Sequence, residues 1–184
     1  MEATNGYLLD NNIISILARP NDPRYSGVSA NFEAIKQGPV FLPVLAIAEI
    51  ELGIALSGVS NEAQKNALRD FFANYPNHLA VDDNTVEPYA LIRAQLWRTY
   101  GTPKKKRRGY EEKVPEALID RVSGSSLGID ERDLLIASIA VQYNLILATN
   151  DQNQGMKRIE EAARKLETAG EAVRLRIAYW PKPV

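Results

Sequence analysis

The sequence contains no cysteine and only one histidine, His78. The absence of cysteine excludes a disulfide framework, a thiol nucleophile and a cysteine-ligated zinc site. A single histidine excludes a metal site built from several histidines and leaves little for a histidine-based catalytic triad. We interpret His78 as a surface residue in the turn Pro76-Asn77-His78. Any chemistry must therefore come from carboxylates, hydroxyls, amides, lysine or arginine.

The chain also lacks an excess of charge and a long apolar run. Its 184 residues include 22 Lys and Arg against 23 Asp and Glu, and this balance excludes a uniformly basic nucleic-acid coat or an acidic tail. No apolar run reaches the roughly 18 residues of a membrane span. The N-terminus, MEATNGYLLD, has an acidic residue where a signal peptide has positive charge. We expect a soluble, cytoplasmic protein with no membrane contact and one domain over residues 1–184.

Short apolar runs alternate with helical patterns along the chain. The predicted strands are 7–9, 40–42, 79–81, 145–148 and 173–177, and the predicted helices are 11–17, 43–56, 62–73, 87–100, 131–143 and 160–168. This alternation indicates βαβ units, and hence an α/β fold with a mainly parallel sheet and helices on both faces. Ligand sites in such folds lie at the carboxyl ends of the strands.

Four acidic residues fall near that predicted edge. Asp10 and Asp151 follow strands, Asp133 opens the helix before the fourth strand, and Glu49 lies in the helix after the second strand. Two unit charges 4 Å apart repel by about 4 kcal/mol at an effective dielectric of 20. Four carboxylates stay ionised together only if a cation lies among them, and Mg²⁺ or Mn²⁺ prefers such all-oxygen sites.

Each acid also has a simpler interpretation. Asp10 is a plausible cap of the helix 11–17, and Asp133 is favoured in a first helical turn by the helix dipole. Asp151 suits a turn after an apolar strand. Helical periodicity does not distinguish Glu49 from Glu51, although Gly53, one turn beyond Glu49, would let another group approach closely.

The four segments fall in the order of a known family pattern. They are Leu8-Leu9-Asp10-x-Asn12, Ala48-Glu49-x-x-x-Gly53, Asp133-Leu134-Leu135-Ile136-Ala137 and Ala148-Thr149-Asn150-Asp151. Together they resemble the PIN-domain ribonucleases, and among them the VapC-type toxins of bacterial toxin–antitoxin pairs. The resemblance implies a PIN-like three-layer sandwich. It also implies that Asp10, Glu49, Asp133 and Asp151 form a catalytic, metal-binding quartet, with Asn12 and Thr149 as polar supports.

The same resemblance implies a function. It points to a Mg²⁺- or Mn²⁺-dependent endoribonuclease, the toxin of a type II toxin–antitoxin system, which forms a homodimer, cleaves RNA and binds a cognate antitoxin. The sequence departs from the family pattern at Asn11, where Thr or Ser is commoner. It departs again after Asp151, where an Asp-Phe pair is common but this chain has Gln152-Asn153.

Two other functions are weighed against the nuclease. A catalytically silent PIN module would bind RNA or protein, but all four acids are present. A phospho-acceptor domain would carry phosphate on Asp10. Against this, Asn11 and Asn12 follow in place of the Asp-x-Asp pattern, and Ala148–Asp151 offers no lysine.

Residues 101–128 form an expected elaborated loop with a basic run. The run is Lys104, Lys105, Lys106, Arg107 and Arg108, and the segment from Arg98 to Lys113 has a net charge of +5. Mobile cations of this kind bind RNA phosphates, and the flanking Tyr100 and Tyr110 suit stacking on bases. The alternative is a solvated polar loop.

Overall fold

The computed structural model of the chain describes residues 5–56, 62–101, 115–119, 124–151 and 153–181. The basic run at 104–108 lies outside these described residues, so its assignment to RNA binding stays a prediction. The sequence-based boundaries of the domain, 1–184, also stay a prediction.

Five strands in the described residues form one parallel sheet with the order β3-β2-β1-β4-β5. The strands are β1 (Tyr7–Leu9), β2 (Val40–Pro43), β3 (His78–Leu79), β4 (Ile146–Thr149) and β5 (Arg176–Tyr179). The central strand β1 pairs with β2 on one side, with Leu8 opposite Phe41, and with β4 on the other, with Leu9 opposite Ala148. The predicted α/β fold is confirmed.

Seven α-helices connect and flank these strands within the described residues. They are α1 (Asn11–Leu17), α2 (Tyr25–Ile35), α3 (Val44–Leu56), α4 (Glu62–Asn74), α5 (Val86–Tyr100), α6 (Glu131–Gln142) and α7 (Gln154–Thr168). The sequence analysis missed α2, although Val28 and Phe32 bury one face of it.

Several predicted boundaries were wrong. Pro43 ends β2 instead of opening the following helix, and α7 begins at Gln154 instead of residue 160. The last strand lies at 176–179 instead of 173–177, because its pairing with β4 sets Arg176 opposite Ile146. His78 lies in the short strand β3 and not in a turn, but it is exposed as predicted.

The sheet separates two hydrophobic cores because neighbouring strand residues point to opposite faces. Leu8 and Leu147 pack with helices α5, α6 and α7, whereas Leu9 and Ala148 pack with α1, α2 and α3. Trp180 is buried in the second core. The result is the expected three-layer arrangement, with a helical layer on each face of the sheet.

The paired strands end together and so define one polar edge. The Asp10 amide donates to the Ala148 carbonyl at 3.0 Å, just beyond β1, and the Trp180 amide donates to the Thr149 carbonyl at 2.8 Å. The chain segments that follow β1 and β4 therefore lie side by side. No helix among the described residues is long and apolar enough to cross a membrane.

Candidate active site at the acidic edge

Asp10 is the most buried carboxylate of the acidic edge, with 3% of its surface exposed. It is the N-cap of α1 and accepts a hydrogen bond from the Asn11 amide on Oδ1 at 2.7 Å. Its other oxygen, Oδ2, accepts from Asn12 Nδ2 and from Thr149 Oγ1, both at 2.7 Å. Asp10 therefore caps α1 and also lies at the polar edge of the sheet.

Asn12 and Thr149 connect the two strand ends around Asp10. Asn12 Nδ2 also donates to Thr149 Oγ1 at 3.1 Å, and Asn12 Oδ1 accepts from the Asn150 amide at 2.8 Å. The Asp151 amide donates to Thr149 Oγ1 at 2.9 Å. These bonds fix the backbone on which Asp151 stands relative to Asp10.

Glu49 reaches the edge from α3, and two partners bind its carboxylate. Asn11 Nδ2 donates to Glu49 Oε2, and Arg132 Nη1 forms an ion pair with Glu49 Oε1. Glu51, by contrast, is exposed. A half-buried carboxylate requires such partners, so the fold distinguishes the two glutamates that periodicity left equal. Gly53 is not required by a close approach, because a Cβ there would meet no described atom within 4 Å.

Asp133 lies in the first turn of α6, behind the N-cap Asp130. Burial, together with the smaller effect of the negative charges of Asp10, Asp130, Asp151 and Glu49, raises the pKa of Asp133 to about 7. Burial also raises the pKa of Asp10 to about 6, against the lowering effect of its hydrogen bonds from Thr149 and Asn11. The other acids of the edge therefore all disfavour the ionised form of Asp133.

Asp151 stands in the turn after β4, and its Oδ1 accepts from the Asn153 amide at 2.7 Å. All four predicted acids thus lie at one edge, near enough for Asp10, Asp151 and Glu49 to act on the charge of Asp133. Within the described residues, however, no three such groups are close enough to ligate one metal ion as they stand. Glu49 instead contacts Arg132 and Asn11.

Sequence reasoning missed two arginines at this edge. Arg132 joins Glu49 to Asp130, with Nη2 2.5 Å from Asp130 Oδ2. Its place directly before Asp133 in a first helical turn was an available signal. Arg24 donates from Nη1 to Asn150 Oδ1 at 3.2 Å. It precedes the helix that the sequence analysis did not predict, and no local pattern pointed to it.

Comparison with solved structures supports the fold. The structure of FitAcB from Neisseria gonorrhoeae matches at 26% identity with a TM-score of 0.55, covering 83% of this chain and 92% of that one. A structure of FitAB bound to an IR36 DNA fragment matches at 20% identity and a TM-score of 0.62, covering 94% of each chain. VapBC2 from Rickettsia felis, bound to a DNA fragment from its promoter, matches at 17% identity and a TM-score of 0.55, covering 95% and 98%.

Comparison with family models gives the assignment. No curated protein matches the chain closely enough in sequence to add to it. The model of the PIN domain matches residues 7–162, a segment that begins at β1 and ends within α7. That segment contains all four acids of the edge and the two residues, Asn12 and Thr149, whose side chains donate to Asp10. The chain is a member of the PIN domain family.

Proposed function

We propose that this protein is a Mg²⁺- or Mn²⁺-dependent endoribonuclease that hydrolyses RNA phosphodiester bonds at the acidic edge. The observation that carries the proposal is the convergence of four carboxylates, from four separate parts of the chain, on one edge of the sheet. Burial, with the repulsion among the acids, raises the pKa of Asp10 and of Asp133, so keeping these carboxyls ionised costs free energy that a bound cation would offset. Costly clusters of titratable groups are typical of functional sites.

The donor chemistry of the edge fits a hard divalent ion. Carboxylate oxygens are the ligands that Mg²⁺ and Mn²⁺ prefer, and a nearby positive charge would relieve the repulsion among the acids. Asp10, Glu49 and Asp133 would hold the ion, directly or through water, and Asp151 would complete a second site or orient the attacking water. A bound ion of this kind supplies an acidified water and stabilises the charge that develops on phosphate.

The protein's own residues prepare this chemistry. Thr149 and Asn12 fix one oxygen of Asp10 and so orient its carboxylate. Arg132 balances the charge of Glu49. No covalent nucleophile is needed, in keeping with the missing cysteine and the exposed His78. Phosphorylation of Asp10, the alternative chemistry, is disfavoured because the carboxylate is 3% exposed and both its oxygens accept hydrogen bonds.

We further propose that the enzyme is the toxin of a toxin–antitoxin pair. The sequence motifs resemble VapC-type toxins, and VapBC and FitAB complexes are among the similar solved structures. On this proposal the chain acts in the cytoplasm as a homodimer and is inhibited by a small cognate antitoxin. The basic run at 104–108 would add phosphate contacts to RNA bound at the edge.

The test of the nuclease is cleavage of labelled RNA by the purified chain with Mg²⁺ or Mn²⁺ and with EDTA. Cleavage should require the metal. Glu49→Gln should slow it by at least about 100-fold, because loss of even an outer-shell partner costs 10–100-fold. Glu51→Gln is the matched control, since it removes the same charge two residues away on the same helix, and it should cleave like the wild type.

Two results would contradict the nuclease proposal. Undiminished cleavage in EDTA would exclude the metal-dependent mechanism. Inactivity of Glu51→Gln, together with full activity of Glu49→Gln, would mean that the wrong glutamate had been assigned to the edge.

A further inference from the structure

An open cleft of about 610 Å³ lies beside Asp151. This volume lies in the range of about 300–1,000 Å³ that is usual for ligand sites. The residues that line it are Asn12, Arg24, Asn150, Asp151, Asn153 and Pro181. Asn12 and Asp151 belong to the acidic edge, so a ligand in the cleft would lie next to a substrate bound at the carboxylates.

Arg24 provides the positive charge of this cleft, and its orientation is fixed by Asp22. Nε and Nη2 of Arg24 donate to the two oxygens of Asp22, at 2.9 and 2.8 Å. The Asp22 side chain is 8% exposed whereas that of Arg24 is 49% exposed. The hydrogen bond from Arg24 holds the pKa of Asp22 well below its usual range, so the pair stays charged. A planar guanidinium held in this way is already oriented for a ligand.

Arg24 is also connected to the buried carboxylate of the acidic edge. Its Nη1 donates to Asn150 Oδ1, the Asn150 amide donates to Asn12 Oδ1, and Asn12 Nδ2 donates to Asp10. This chain of three hydrogen bonds fixes the position of the guanidinium relative to Asp10. Described residues engage three of the five N–H groups of Arg24, which leaves two donors for a ligand in the cleft.

The charges around the cleft favour a phosphate as that ligand. Asp151 repels an RNA strand that approaches the acidic edge, and Arg24 is the cation among the residues that line the same cleft. Arginine binds phosphate oxygens through two N–H groups at once. The side-chain amide of Asn153, which also lines the cleft, adds a group that both donates and accepts, the chemistry that base edges present.

We propose that Arg24 binds a backbone phosphate of the RNA strand beside the bond cleaved at the acidic edge, and that the cleft accommodates the nucleotide between them. This inference rests on the proposed ribonuclease function and assigns a substrate-binding residue to it. Arg174 is a natural comparison, because its Nε also pairs with a carboxylate, that of Glu167 at 3.2 Å, and its side chain is 44% exposed, but it does not line the cleft.

The experiment measures binding of a fluorescein-labelled 12-nucleotide single-stranded RNA of mixed sequence to the full chain by anisotropy, in EDTA, so that binding is separated from cleavage. Arg24→Gln should weaken binding about tenfold, as expected for a charged hydrogen-bonded contact. The dependence of log K on log salt should also become shallower by about 0.7. Arg24→Lys, which keeps the charge but loses the planar fork, should lie between Arg24→Gln and the wild type.

Arg174→Gln is the matched control, because it removes an exposed, carboxylate-paired arginine that does not line the cleft, and it should change the Kd by less than twofold. Equal losses from Arg174→Gln and Arg24→Gln would show diffuse electrostatic attraction and overturn the proposal, as would unchanged binding by Arg24→Gln. Thermal melting of both variants checks that the exposed substitutions leave the fold intact.

A second measurement locates the phosphate. Replacing single phosphates of the RNA by neutral methylphosphonates should weaken wild-type binding most at one position, and that penalty should disappear in Arg24→Gln. A penalty that persists in the variant would overturn the contact. If the wild-type chain cleaves RNA but Arg24→Gln binds RNA as tightly as the wild type, this inference alone is rejected. If the wild-type chain cleaves no RNA with Mn²⁺, the proposed function is rejected.

Discussion

Asp10 and Asp133 are the carboxyls of the acidic edge for which the structure gives a raised pKa, and their surroundings differ. Asp10 accepts three hydrogen bonds, from the Asn11 amide, Asn12 and Thr149, and donors of this kind stabilise the charged form. The structure gives Asp133 no hydrogen-bond donor among the described residues, and burial, with the charges of the other acids, raises its pKa to about 7. Asp133 is therefore the better target for isosteric neutralisation, because an amide at position 10 would face donors.

The raised pKa of Asp133 predicts how stability depends on pH without metal. A carboxyl with a pKa near 7 in the folded state and near 4 in the unfolded state binds its proton more tightly when the protein is folded. Its contribution to the free energy of unfolding is therefore fully present below pH 4 and is lost as the pH rises through 7. In EDTA at pH 8, Asp133→Asn should therefore be more stable than the wild type by about 1–3 kcal/mol. The difference should shrink towards pH 4.

Thermal melting of the wild type and Asp133→Asn between pH 4 and 8 checks this prediction. Each kcal/mol corresponds to a shift of roughly 2–4 °C for a chain of this size. Glu51→Gln, at an exposed position, is the control and should follow the wild type. A variant that is less stable than the wild type at pH 8 would mean that Asp133 is not destabilised by its surroundings.

Helix α7 shows how one element is positioned by a close backbone contact. A Cβ at Gly155, in its first turn, would lie 2.0 Å from the Gly128 carbonyl oxygen. Because that neighbour is backbone, it has no flexible side-chain end that can move away. Met156, the next residue, is fully buried in the core. The segment after Asp151, where the chain departs from the family pattern, thus has its own packing reason for a glycine.

Gly155→Ala should destabilise the protein, with a cost of about 1–3 kcal/mol for forcing extra volume into a packed site. Gly53→Ala is the matched control in α3, because no described atom lies within 4 Å of a Cβ placed at this position. It should stabilise by about 0.5–1 kcal/mol through helix propensity. Urea unfolding of the two variants measures both changes, and a Gly155→Ala variant as stable as the wild type would contradict the close contact.

At the scale of the whole molecule, a net charge of −1 provides no general attraction for RNA. On the proposed function, RNA binding requires local positive charge, which is found near the acidic edge at Arg24 and Arg132 and predicted at 104–108. On the same proposal, an arginine or lysine of an inhibitory partner would pair with the carboxylates of the edge.

Expression of the chain alone in bacteria should therefore arrest growth. Co-expression with the product of the adjacent upstream gene should restore growth and yield a co-purifying complex without nuclease activity. Light scattering should give twice the chain mass for the free protein. If the chain is harmless and binds no such partner, the toxin assignment is withdrawn and the nuclease assignment stands on its own assay.

The sequence alone determined the α/β class, because apolar runs and helical periodicity are local patterns that each segment carries by itself. It also identified Asp10 and Asp151 as residues at the edge, since a polar residue that follows a parallel strand must lie at that strand's carboxyl end. Asp133, which opens the helix before β4, was assigned to the same site by its family motif. The order of the motifs identified the family. Boundaries were less accurate, as at β5, where pairing with β4 and not the local alternation fixes the register.

The family motif selected Glu49 over Glu51, but only the tertiary structure gave the physical reason: both lie on one helix that is apolar nearly all round, and Asn11 and Arg132 from other elements bind Glu49. The tertiary structure alone placed Arg24 beside Asn150, 126 positions further along the chain. Contacts of this kind depend on how elements pack, and packing brings together residues whose local sequences carry no information about each other.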